Sequence, residues 1–140
     1  MRVLLDTDVV LDVVLAREPF AQTAAQIFKL HEQRKIDAYI AAITPINVFY
    51  ITRKFKGRQQ ARQAVALLLR AFAVCPLSQA ILDEAYNLPF ADYEDAVQHA
   101  SAAANGLDTI LTRDMNDYKN ATLPVLSPTD FLSNLGSQPT

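Results

Sequence analysis

The chain has 140 residues, 51% of them hydrophobic and 20% charged, with only 3 Gly and 7 Pro. A chain of this size buries roughly two-thirds of the surface that its unfolded form exposes, and its composition excludes the disordered, collagen-like and disulfide-stapled classes. With a net charge of −2 it lacks the broad basic face of a general nucleic-acid binder, so any role on nucleic acid has to rest on local features.

Residues 2–5 form a short apolar run that stops abruptly at Asp6, and residues 36–43 form a second, β-branched one; both read as buried strands. An apolar helix is expected directly after the first, with Asp8 a candidate cap for a start at Val9. Phe20, Ala24, Ile27, Phe28 and His31 then recur at helical spacing behind Pro19, which suits a first turn. Helices are expected over 44–56 and 58–70, broken at Gly57, followed by a strand over 72–77. Two more helices follow at 78–88 and 92–105, the second closed by Asn105-Gly106 in the position of a left-handed cap. Strands at 108–112 and 124–126 and a helix over 128–135 complete the pattern, leaving 136–140 as a frayed tail. Strands alternating with helices imply a mostly parallel sheet covered on both faces, one domain over 1–135, with ligands gathering at the carboxyl ends of the strands.

Cys75 lies in the apolar run at 72–77, where a buried thiol acts as a small hydrophobe, and one cysteine builds no disulfide framework, which suits a reducing, cytoplasmic setting. His31 and His99 stand far apart without a cysteine pair, so a zinc site of the usual ligand types is not expected and both read as helix-face residues. Asp6, Asp8 and Asp12 interrupt the first apolar stretch before a signal-peptide core forms, and no stretch approaches the roughly 20 apolar residues of a membrane span.

Among the 15 acidic residues, the informative ones follow a strand or open a helix. Asp6 and Asp8 follow the first strand; Asp114 and Asp117 follow the strand ending at Thr112; Asp92, Glu94 and Asp95 open an alanine-rich helix. In a parallel sheet the first two groups share an edge. Crowded carboxylates repel one another unless a cation sits among them, and an oxygen-only donor set suits Mg²⁺ or Mn²⁺. Such an ion serves phosphodiester hydrolysis. Plainer roles exist for each: Asp92 as an N-cap, Asp95 in a first turn, Asp8 as a cap, Asp114 and Asp117 in a turn. Asp6, wedged between a buried strand and an apolar helix, is the hardest to dismiss.

Taken in order, these stretches resemble the PIN domain family, which includes VapC-like ribonucleases of toxin–antitoxin pairs. The resemblance runs over nearly the whole chain and rests on Leu5-Asp6-Thr7-Asp8, Thr44-Pro45-Ile46-Asn47, Asp95-Ala96-Val97 and Thr112-Arg113-Asp114 with Asp117-Tyr118. It implies a three-layer α/β sandwich with a sheet of about five strands and a Mg²⁺- or Mn²⁺-dependent endoribonuclease. Asp6, Asp95 and Asp114 would hold the metal, supported by Asn47 and Asp117, with Asp8, Glu94 and Thr112 alongside. The sequence departs from the family where Asn47 stands in place of a glutamate: an amide oxygen binds a metal without supplying charge. Glu94 could restore that charge, although adjacent helical residues point about 100° apart and a surface position is the simpler reading. Arg53, Lys54 and Lys56, in a basic segment that continues to Arg58 and Arg62, could grip RNA phosphates or merely complement a helix end. Phe49 and Tyr50 beside them read as core. The helices at 20–31 and 61–72 are apolar enough to pair two chains as a homodimer, and the family's toxins are held by an antitoxin protein. Two further readings are a non-catalytic PIN module that binds RNA or protein, and a haloacid-dehalogenase-type phosphatase with Asp6 as nucleophile.

Overall fold

A computed structural model describes residues 1–137. Five strands form one sheet: β1 (Arg2–Leu5), β2 (Asp37–Ala41), β3 (Ala73–Cys75), β4 (Thr109–Leu111) and β5 (Val125–Leu126). They lie in the order β3-β2-β1-β4-β5 and every pairing is parallel. The helices are α1 (Thr7–Val14), α2 (Ala21–Glu32), α3 (Ile43–Lys56), α4 (Arg58–Ala71), α5 (Gln79–Asn87), α6 (Tyr93–Ala104) and α7 (Pro128–Ser137), with a short 3-10 turn at Met115–Tyr118.

The period of two along each strand sorts side chains onto the two faces. Val3 and Leu5 of β1, Ala38 and Ile40 of β2 and Leu111 of β4 meet Val10, Leu11, Ile27, Val48, Leu68 and Phe131, so α1, α2, α3, α4 and α7 cover one face. Leu4, Ala41, Cys75 and Ile110 point the other way, toward Ala102 of α6, and α5 packs against α6 through Ile81, Ala85, Val97 and Ala100. Parallel strands buried on both faces must be continuously apolar, which is why β1 reads as an unbroken Val-Leu-Leu run. Cys75 is buried as expected, and that burial pushes its thiol up to about 11.

Sequence signals placed most boundaries well. Ser78 and Asp92 cap α5 and α6, accepting from the amides of Ile81 and Asp95, and Gly106 takes the left-handed conformation (φ 65°) that ends α6. Four expectations need correction. Asp6, not Asp8, is the N-cap residue of α1, because the helix starts as soon as β1 ends. Pro19 lies in the turn before α2, not in its first helical turn. His99 is buried, its Nε2 accepting from the Thr122 amide, so it is no ordinary surface position. Tyr50 is 62% exposed, not core. Helix α7 runs through Gly136 to Ser137; the remainder of the expected frayed tail, 138–140, lies outside the described residues. Among the described residues no helix is long and apolar enough to cross a membrane.

Candidate functional site

The chain builds the sheet outward from β1, first through β2 to β3 and then, on the other side, through β4 to β5. The crevice between β1 and β4, at their carboxyl ends, is therefore the topological switch point where parallel α/β sheets collect ligands. Asp6 leaves β1 there, its amide donating to the Leu111 carbonyl of β4 at 3.0 Å. Thr112, Arg113 and Asp114 leave β4 beside it.

The Asp6 carboxylate is 3% exposed and held at both oxygens: Gln98 Nε2 donates to Oδ1 at 3.0 Å and Thr112 Oγ1 donates to Oδ2 at 2.6 Å. Gln98, on α6, uses its Oε1 to accept from the Thr7 amide at 3.1 Å, so one fully buried amide ties α6 to the start of α1. Thr7 Oγ1 in turn meets Thr44 Oγ1 of α3 at 3.0 Å. Thr112 Oγ1 also accepts from the Asp114 amide at 3.0 Å, which fixes the loop after β4. Second partners of this kind orient ligating carboxylates.

One carboxylate oxygen from each of Asp6, Asp8 and Asp114 lies within 4.8 Å of the others. Asp6 and Asp114, expected together, meet here, and Asp8, in the first turn of α1, completes the tight set in place of Asp95, the expected third ligand. Asp95 stands next to it, opening α6, and the charge of Asp6 reaches it. Tyr118 Oη, buried, points to Asp95 Oδ1 at 3.5 Å. Asp117 is exposed and contributes to the site through its field on Asp95. Glu94 is half-buried and faces Asn47 and Thr7 rather than solvent. The Asn47 amide nitrogen is buried without a partner in hydrogen-bonding geometry, although it lies near enough to Glu94 to favour that carboxylate's ionised form.

Burial and mutual repulsion act on the whole group. Burial, and then the charge of Asp114, push the Asp6 carboxyl up against the hydrogen bonds from Thr112 and Gln98. Asp8 is raised to about 7 by burial, by its contact with the Asp114 carboxyl and by the charge of Asp6, with Arg113 opposing. Asp95 rises to about 8 through burial and then the charges of Asp6, Asp92, Asp117 and Glu94. Glu94 is raised as well, first by burial. These residues fit a divalent cation: the donors are all oxygen, opposite ligands of a magnesium-like ion span about 4.2 Å, and positive charge would relieve the repulsion.

Two partners of the site escaped sequence reading. Gln98 shows as a polar residue within an Ala-rich helix, a signal for a buried hydrogen-bonding role. Asp12 and Arg113 form a bidentate pair, Nε to Oδ2 at 2.8 Å and Nη2 to Oδ1 at 3.1 Å, across 101 residues that no local pattern connects. Arg53, Lys54 and Lys56 are exposed in the last turn of α3, six to nine residues beyond Asn47 and so roughly 9–14 Å along the axis.

A wholly parallel sheet with carboxylates gathered at its switch point defines an α/β protein with a cluster of oxygen donors of the kind that could hold a metal ion. The family follows from the sequence: the model of the PIN domain matches residues 2–116, and the chain belongs to that family. None of the curated protein sequences matches it. Among solved structures the fold is similar to that of VapBC2 from Rickettsia felis, bound to a DNA fragment from its promoter, at a TM-score of 0.72 and 14% identity, covering 91% of this chain and 98% of that one. A toxin-antitoxin complex from Klebsiella pneumoniae is similar at 0.66 and 24% identity, over 90% and 97% of the two chains. VapC20 from Mycobacterium tuberculosis, described as a Sarcin-Ricin loop cleaving toxin, is similar at 0.63 and 14% identity, over 77% and 86%. At these identities the likeness is one of fold.

Proposed function

We propose that the protein is a metal-dependent endoribonuclease whose ion is held by Asp6, Asp8 and Asp114, with Asp95, Asn47, Glu94 and Asp117 around it. The observation that carries this is the meeting of three carboxylate oxygens within 4.8 Å at the switch point of a PIN domain. Mg²⁺ or Mn²⁺ bound there would polarise a phosphoryl oxygen and supply a hydroxide nucleophile. The chain's own residues prepare the place: Gln98 and Thr112 fix the direction of Asp6, and Asp114 is set by its amide bond to Thr112. Asp95, raised to about 8 by burial and by the charges of Asp6, Asp92, Asp117 and Glu94, adds a further carboxylate whose ionised form a cation at Asp6 would favour. Arg53, Lys54 and Lys56, exposed in the last turn of α3, are the cations that would meet the phosphates of a bound RNA strand. Family membership leaves the dehalogenase-type reading without support.

A role as the toxin of a toxin–antitoxin pair is supported by the fold relatives named above, and a homodimer by the exposed apolar side chains Ile46, Tyr50, Leu67 and Leu69 on α3 and α4. One observation favours a second reading, a non-catalytic module: Asn47 brings no charge to a position where the family carries a glutamate. Incubation of RNA with the protein and Mn²⁺, with Asp6→Asn as control, separates the two. Cleavage by the wild-type chain alone is the expected result, and equal or absent cleavage by both refutes the nuclease.

A further inference from the structure

Three successive residues carry the loop after β4, and each has its own tether: Thr112 to Asp6, Asp114 to Thr112, and Arg113 to Asp12 of α1. The third tether differs from the others. Asp12 is a carboxylate only 1% exposed, and Arg113 reaches it with a bidentate fork while its guanidinium lies 4.1 Å from the centre of the Phe20 ring. A buried ion pair is a costly way to fill space, because apolar side chains of similar volume serve stability at least as well, so its value has to be sought in the geometry that it specifies.

That geometry concerns the metal site. Asp8 and Asp12 stand four residues apart, on one face of α1. They meet two adjacent loop residues, Asp8 against Asp114 and Asp12 against Arg113. Asp8 and Asp114 repel when both are ionised, and Asp114 (φ −101°, ψ 68°) sits outside any helix or strand that would hold it in place. Arg17 contributes weakly, its Nη1 lying 3.9 Å from Asp8 and 3.8 Å from Asp12.

We infer, resting on the metal-binding reading above, that the Asp12–Arg113 pair is a positioning latch, which holds Asp114 against Asp6 and Asp8 and so preassembles the metal site before a cation arrives. Neither residue touches the ion; they act through Asp114. Without the latch the cation has to gather the ligands itself, and a loss of 10- to 100-fold in affinity is the usual consequence of removing such outer support.

The test uses the full chain, Mn²⁺ titration by calorimetry, and hydrogen exchange of residues 112–118 in the metal-free protein. The decisive variant is the double substitution Asp12→Leu with Arg113→Met, which leaves net charge unchanged and exchanges the ion pair for apolar packing; Arg113→Lys, which keeps the charge but loses the fork, serves if the double variant folds poorly. A latch predicts near-wild-type melting of the double variant, at least tenfold weaker Mn²⁺ binding and faster exchange at the Asp114 amide. Wild-type affinity and protection in a variant whose ion pair is gone overturn the latch alone. A wild-type chain that binds no Mn²⁺ overturns the metal reading together with it.

Discussion

Raising the pH of the metal-free protein should destabilise it. Asp8 and Asp95 titrate near 7 and 8 in the folded chain against 3.8 for the ordinary carboxyl, and Asp6 and Glu94 are raised too. Between pH 4 and 8 the folded state therefore holds more protons than the unfolded state, and stability, complete below pH 4, is lost as the pH climbs through 7 and 8. A tenfold change in proton affinity between the two states corresponds to about 1.4 kcal/mol, but the Asp8 side chain is 38% exposed and the carboxylates share one field, so solvent screening reduces the combined loss to roughly 1–2 kcal/mol. For a chain of this length that lowers Tm by about 3–10 °C. The assay is a series of thermal melts with EDTA from pH 5 to pH 9, repeated with saturating Mn²⁺, which should flatten the slope. A metal-free wild-type chain whose stability is level or rises from pH 5 to 8, or a double variant Asp8→Asn with Asp95→Asn that keeps the full slope, would refute the electrostatic account of the site.

Three further outcomes can be measured. Gln98→Leu leaves the buried Thr7 amide and one oxygen of Asp6 without their partner, which should lower stability by about 2–3 kcal/mol in denaturant titration and weaken Mn²⁺ binding; a loss below about 0.5 kcal/mol would show the bridge to be incidental. His31 accepts the Ala38 amide on Nδ1 at 3.0 Å, so its Nε2 carries the proton donated to the Ala71 carbonyl at 2.6 Å, while the ring stacks on Phe72; His31→Ala should lower stability by about 1.5–3 kcal/mol without altering Mn²⁺ affinity, and a change in metal binding would contradict this separation. Reversing Arg53 and Lys54 to glutamate should weaken RNA binding and reduce the dependence of log affinity on log salt by about 1.4, or about 0.7 for each single-strand phosphate contact, whereas an unchanged slope would leave these residues as helix-end cations.

What was legible in the sequence was local. The apolar runs of β1 and β2, the caps at Ser78 and Asp92 and the stop at Gly106 each depend on a few neighbouring residues, and the structure places them close to where the pattern does. The placement of Asp6 and Asp114 at one edge needed only parallel strands. What stayed hidden depends on side-chain direction and on distant pairs. Asp8 reads equally well as a cap until β1 is seen to pass straight into α1 at Asp6. Glu94 and Asp95 lie about 100° apart on α6, which argues from helical geometry against their serving one site, yet both are half-buried in the first turn of α6, Glu94 beside Asn47 and Thr7 and both within the field of Asp6. The 3-10 turn at Met115–Tyr118 looks like a plain bend because its stabilising feature, the burial of Tyr118 against Phe90 and Ala102, is tertiary.

The most direct measurement is a crystal structure of the full chain grown with Mn²⁺, with data collected for the anomalous signal of manganese. One strong peak bonded to oxygens of Asp6, Asp8 and Asp114 is the expected result. A fully ordered site without a peak there, or a peak bound elsewhere while these three carboxylates stay apart, would contradict the metal-dependent site on which the proposed activity depends.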